Sequence, residues 1–144
     1  MVDVGATGEP EREAVARGRV FMHEDTLALL RRHDTKKGDV LTVAKIAAIQ
    51  AAKRASELIP LAHSVALDGI DIEFAFDHAG PSLAIEARVA SNGRTGVEME
   101  ALTAVAIAAL TVYDMLKAVD RSMVIGEIRL ALKEGGKSGR YEAP

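Results

Sequence analysis

The sequence predicts an α+β sandwich: a mainly antiparallel sheet with helices packed on one face. Three observations carry this. Residues 64–78 and 83–91 alternate apolar and polar side chains with a period of two and are separated by the turn "AGPS", the pattern of an antiparallel hairpin. Two long stretches, 40–59 and 95–120, instead repeat their apolar residues at helical spacing. The predicted elements interleave as strand, helix, helix, strand, strand, helix, strand. In a chain of 144 residues that order suits one domain with one core.

Residues 1–18 mix Gly, Pro and alternating charges and read as an extended or flexible arm of the single domain 1–144. "GRVFM" (18–22) has the composition of a short strand. "HEDTLALLRRH" (23–33) places Leu27, Leu29 and Leu30 ahead of a basic end, which suits a short helix. "DTKKG" is a loop. Asp39 stands where a helix N-cap belongs, and Val40, Val43, Ala44, Ala47, Ala51 and Ala55 follow at helical intervals until Pro60 stops the helix. In the first hairpin strand Ile70, Ile72, Phe74 and Phe76 share a face; in the second, Leu83, Ile85, Ala87 and Val89 do. "NGRTG" leads into the helix 95–120. The last strand, 123–136, is expected to carry Ile128, Leu130 and Leu132 on one side, ahead of a polar tail. A split arrangement of the ferredoxin-like kind is the architecture this order fits best.

Composition narrows the function. Aromatic residues are scarce and Trp is absent, so Ala, Val, Ile and Leu build the core. A net charge of −3 argues against a general nucleic-acid surface. With no Cys there is no disulfide framework, no thiolate metal site and no Cys nucleophile, which fits a cytoplasmic protein. The N-terminus lacks the basic start and apolar run of a signal peptide. The longest uncharged apolar run, Ala101–Tyr113, has 13 residues, whereas a membrane span needs about 20, so no membrane partner is expected.

The motifs differ in weight. "EGGKSG" (134–139) holds a Gly-Lys-Ser triplet, but Ala131 occupies the place of the first glycine of a phosphate-binding loop, and no helix follows. A basic tail reaching a phosphate and a solvated terminus both remain open readings. The four histidines, His23, His33, His63 and His78, show no metal-ligand spacing, so no metal site is assigned. His63, in "LIPLAHSV", fits either a structural hydrogen bond or a ligand contact. Arg31, Arg32, Lys36 and Lys37 make a basic loop that is either solvated or a holder of phosphates.

The helix 95–120 is the most informative stretch. Its middle is uncharged, yet Glu98 and Glu100 open it and Asp114 and Lys117 close it. Asp114 and Lys117 are i,i+3 neighbours able to touch. Glu100 and Asp114 are 14 residues apart, or about 21 Å along the axis at ~1.5 Å per residue. One small-molecule site in one subunit cannot hold both. A helix apolar all round needs cover on all sides, and a domain this small covers one. The sequence therefore points to an obligate oligomer with polar sites at subunit boundaries.

Taken together, "KGDVLTVAKIAAIQAAKRASELIPLAHSVAL", "TGVEMEALTAVAIAALTVYDMLKAV" and "MVIGEIRLALKEGGKSG" resemble the cyclic pyranopterin monophosphate synthases of molybdenum cofactor biosynthesis, across nearly the whole chain. The resemblance implies a soluble, cytoplasmic lyase. It would convert (8S)-3′,8-cyclo-7,8-dihydroguanosine 5′-triphosphate, made from GTP, to cyclic pyranopterin monophosphate with release of pyrophosphate. It also implies a ferredoxin-like subunit and a homohexamer, a trimer of dimers, with the active site at a dimer boundary. By motif, Asp114 and Lys117 in "YDMLKA" match the catalytic aspartate and lysine. Leu61, Ala62 and His63, and Met99 with Glu100, match two substrate-contacting strings. Glu98, Lys37 and Lys133 fall at further site positions. No cofactor is certain; Mg²⁺ is a candidate companion of the triphosphate, although no carboxylate cluster declares a place for it. One departure stands out: the family usually has Leu-Cys-His-Pro where this chain has Leu-Ala-His-Ser. Ala62 removes any thiol chemistry and Ser64 loosens the turn. The alternative that departure favours is a catalytically impaired member acting as a binding oligomer.

Overall fold

The computed structural model describes residues 11–144. The elements are β1 (Arg12–Phe21), α1 (Glu24–Arg31), α2 (Val40–Lys53), the single turn α3 (Ala55–Leu58), β2 (Gly69–Asp77), β3 (Ser82–Ser91), α4 (Glu98–Leu116), β4 (Val124–Glu134) and β5 (Tyr141–Glu142). All strand pairs are antiparallel, and the sheet runs β2-β3-β1-β4-β5. The helices α2 and α4 pack on one face, as expected. With the short β5 set aside, this is the ferredoxin-like order.

The reading of residues 1–18 as an arm fails from Arg12 onward; residues 1–10 lie outside those described. Arg12–Phe21 is a central strand, hydrogen-bonded to β3 on one side and β4 on the other. The charges that suggested an arm are the period-two signature of a strand with one open face. Ala14, Ala16, Gly18 and Val20 point into the core, while Glu13, Arg17 and Arg19 point away. On that open face Arg17 pairs with Glu86 at 2.8 Å, Arg19 with Asp77 at 3.1 Å, and Arg88 with Glu13.

Asp39 caps α2 as expected, accepting from the Thr42 N–H at 3.1 Å and the Thr42 hydroxyl at 2.7 Å. Those bonds, the hydroxyl's first, hold its carboxyl below the ordinary value. The helix does not run on to Pro60. It breaks at Arg54 (φ −115°, ψ 15°), resumes for one turn, and leaves Ile59 extended. A residue before proline is pushed out of helical geometry, which accounts for the extended Ile59; Pro60 does not account for the earlier break at Arg54.

In β4 two register shifts against β1 interrupt the alternation. Leu130 lies opposite Ala16 and Leu132 opposite Val15, adjacent β1 residues that face opposite ways, so the two leucines do not share a side as the sequence suggested. Glu127, at φ 54°, marks the second irregularity. The tail is not wholly free either: Tyr141–Glu142 pairs with Leu132–Lys133.

By length and composition α4 would serve as a membrane span, but half of that stretch is buried inside this domain. It is a core helix. Ala101, Ala104, Val105, Ala108 and Val112 are fully buried on the sheet. Away from the sheet Leu110 is 53% exposed, and on the neighbouring α2 Val43 (41%) and Ile46 (52%) are exposed as well.

Candidate active site

The last turn of α4 gathers three of the expected residues. Asp114 and the C-cap residue Lys117 pair through Nζ and Oδ1 at 2.8 Å. Lys37, from the loop between α1 and α2, extends its Nζ to the Asp114 carbonyl oxygen at 3.3 Å. The Asp114 carboxyl sits below its ordinary value because Lys117 donates to it, because of the Lys117 charge, and then because of the Lys37 charge. A carboxylate thus lies near two ammonium groups, one paired with it and one on its backbone carbonyl, at a helix C-terminus, where the helix dipole favours cations. Such a group can accept a proton from a bound molecule, and the flanking lysines can stabilise negative charge that develops nearby.

The first turn of α4 carries the second set. Val97 offers no side-chain cap, and Glu98 and Glu100 supply the negative charge that the helix start favours. Glu100 is only 4% exposed. Burial pushes its carboxyl up from the ordinary value, and the neighbouring Glu98 charge adds to this. Glu98 Oε1 is buried without a hydrogen-bond partner, an unsatisfied acceptor at the start of the helix. Met99 between them is partly exposed.

Around this end lie further groups. Lys133 is directly opposite Ala14, so it is on the helix-covered face, and it reaches the Ser138 hydroxyl. Gly135 and Gly136 take φ of 92° and 83° and lie against Glu11 and Arg12, where a Cβ would collide with the Glu11 carbonyl or the Arg12 guanidinium. Arg12 donates to the Arg94 carbonyl at 2.6 Å. Arg12 was missed at the sequence level because the strand holding it was read as an arm. Leu61, Ala62 and His63 sit on a loop; Leu61 is 92% exposed and His63 is exposed. The Ser91 hydroxyl donates to the Ala66 carbonyl at 2.7 Å, and the Asp68 N–H to the Ala90 carbonyl at 2.9 Å. These bonds tie that loop to the end of β3 from which α4 departs. Just ahead of His63 the Ala62 N–H donates to the Ile59 carbonyl at 3.0 Å, so a backbone bond closes the turn Ile59–Ala62.

The structure therefore sorts the expected residues into two poles. Lys37, Asp114 and Lys117 share one end of α4. Glu98, Met99, Glu100 and Lys133 share the other, with the 61–63 loop tied to that end of the sheet. Among the described residues no group of three or more His, Asp or Glu could hold a metal ion. A hollow of about 580 Å³ on the open face of the sheet, lined by Arg17, Arg19, Glu73, Glu86 and Arg129 among others, contains none of these residues.

The ferredoxin-like domain thus carries the Asp114–Lys117 ion pair at one end of its core helix and the buried Glu100 carboxyl at the other. Comparison with known proteins is specific. The MoaC family model matches residues 1–136. The chain is 57% identical over 141 residues to the cyclic pyranopterin monophosphate synthase of Heliobacterium modesticaldum, covering 98% of this chain and 89% of that one. It is 57% identical over 144 residues to the enzyme of that name from Chloroflexus aurantiacus, strain J-10-fl, covering 100% and 88%. It is 54% identical over 142 residues to that of Thermoanaerobacter sp. strain X514, covering 99% and 90%. The chain belongs to the MoaC family.

Proposed function

We propose that this chain is a cyclic pyranopterin monophosphate synthase, a cytoplasmic lyase acting in molybdenum cofactor biosynthesis. Its substrate is (8S)-3′,8-cyclo-7,8-dihydroguanosine 5′-triphosphate and its second product is pyrophosphate. The observation that carries this is the contact of Lys37, Asp114 and Lys117 at one end of α4, the arrangement a triphosphate-bearing substrate in need of proton transfer calls for. Asp114 and Lys117 exchange protons with the substrate as its ring opens and is rebuilt. Lys37 and Lys133 hold the phosphates and stabilise the charge that develops on the departing pyrophosphate. His63, Glu98 and Glu100 grip the guanine-derived rings.

The working unit is an oligomer, a homohexamer built as a trimer of dimers. Exposed apolar side chains on α2 and α4 support this, since Leu110, Val43 and Ile46 gain by leaving water. The span of α4 supports it further: the two poles serve one substrate only when they come from different subunits. The test is direct. The purified protein, incubated with the cyclised dihydroguanosine triphosphate, is expected to release one pyrophosphate per pterin formed and to leave GTP untouched. Tight binding of that compound without turnover would instead favour an inactive binding oligomer, the reading that Ala62 and Ser64 invite.

A further inference from the structure

Asp120 belongs to neither pole, yet its side chain is 1% exposed and carries four hydrogen bonds. Oδ2 accepts from the His23 N–H and the Thr26 hydroxyl, both at 3.0 Å. Oδ1 accepts from the Ser122 N–H at 3.0 Å and the Ser122 hydroxyl at 2.6 Å. Burial alone would raise its carboxyl, but these bonds outweigh burial and hold it down to about 2. It is a permanent anion at neutral pH, set against the start of α1. That helix has no side-chain cap of its own from His23, and the Asp120 carboxylate supplies the missing negative charge from a distant part of the chain.

The consequence lies at the far end of α1. From Arg31 the chain passes straight into the loop that bears Lys37, and Lys37 reaches back to Asp114 on the last turn of α4. Asp120 lies three residues beyond Lys117 on the segment leaving that same turn. The stretch 23–37 is therefore fastened to the end of α4 twice, by Asp120 at its start and by Lys37 at its finish. Leu27 and Leu30 also seat α1 in the core, and at the surface His78 bridges Glu24 at 2.7 Å and Arg31 at 3.0 Å.

We propose that Asp120 is a positioning residue that sets Lys37 against Asp114 by clamping the start of α1 to the end of α4. The proposal rests on the phosphate-holding role given to Lys37 above. It is tested by a double-mutant cycle with a structural readout alongside. Asp120→Ala, assayed below its own unfolding transition, is expected to lower kcat/KM by about tenfold or more, because a displaced lysine no longer meets the substrate. In a Lys37→Ala background the same change is expected to cost less than about twofold, since the group it positions is already gone. Amide exchange over residues 32–38 is expected to rise in Asp120→Ala and to stay unchanged in His78→Ala, which cuts the surface attachment of α1 instead. Asp120→Asn, which keeps one oxygen acceptor, runs through the same cycle if the alanine variant does not fold. Equal losses in both backgrounds, wild-type kcat/KM in Asp120→Ala, or unchanged exchange over 32–38 would each overturn the proposal. A wild-type protein without turnover would defeat the function proposed above, while the exchange measurement would still decide whether Asp120 holds the loop.

Discussion

Asp114→Asn is expected to abolish product formation while the protein stays folded. Asparagine has nearly the shape of aspartate, and the Asp114 side chain is 64% exposed, so packing is not disturbed. What is lost is the anion. Lys117 keeps a neutral acceptor in place of a carboxylate, and the group that takes and returns a proton disappears. A positioned acid or base is worth about 10²–10⁴ in rate, so turnover should fall by that factor, with substrate binding changed far less. Steady-state kinetics beside circular dichroism and gel filtration would check it. Normal turnover in the folded variant would remove Asp114 from the chemistry.

Gly18→Val is expected to destabilise the fold itself. Gly18 sits at the centre of β1 under α4, and a Cβ built there would stand 2.7 Å from Val105 Cγ1 and 3.0 Å from Ile128 Cγ1. Neither neighbour is the loose end of a long side chain, so strand and helix must separate. Overpacking of this kind costs about 3 kcal/mol, visible as a lower urea midpoint. In a Val105→Ala background the penalty should fall to about 1 kcal/mol, because the nearer obstacle is gone. An unchanged midpoint for the single variant would mean that α4 does not press on β1 as described.

The parts of the fold that were legible in the sequence are those decided locally. The hairpin of β2 and β3 announces itself by alternation, because a two-residue period sorts side chains onto two faces. Asp39 was legible as a cap because a short acidic side chain before a helical run has few other uses. The long α4 and the spacing of its two poles follow from the rise of a helix alone. Tertiary context hid the rest. The charges of β1 look like a solvated arm until β3 supplies Glu86 and Arg88 to pair them on an open face. The register shifts that split Leu130 from Leu132 arise from pairing with β1, and nothing in the β4 sequence demands them. Asp120 gave no signal, since its four donors come from three residues, two of them more than ninety positions away.

The site followed the same division. The touching pair Asp114–Lys117 was readable from its i,i+3 spacing, but the approach of Lys37 to the same turn, 77 residues distant in sequence, was not readable from spacing. Burial of Glu100 was likewise beyond the sequence pattern, because it depends on how the rest of the domain packs around the first turn of α4.

One experiment bears on the whole account most directly. Asp114→Asn protomers and Glu100→Gln protomers, each inactive alone, are mixed under conditions that exchange subunits, and co-purification on separate tags confirms the mixing. If each site takes its acid–base pair from one chain and its buried carboxyl from another, half of randomly formed pairs are mixed and one of their two sites is intact, so activity should return to about a quarter of the wild-type value. A mixture that exchanges fully yet stays as inactive as either parent would mean that a single subunit holds the complete site.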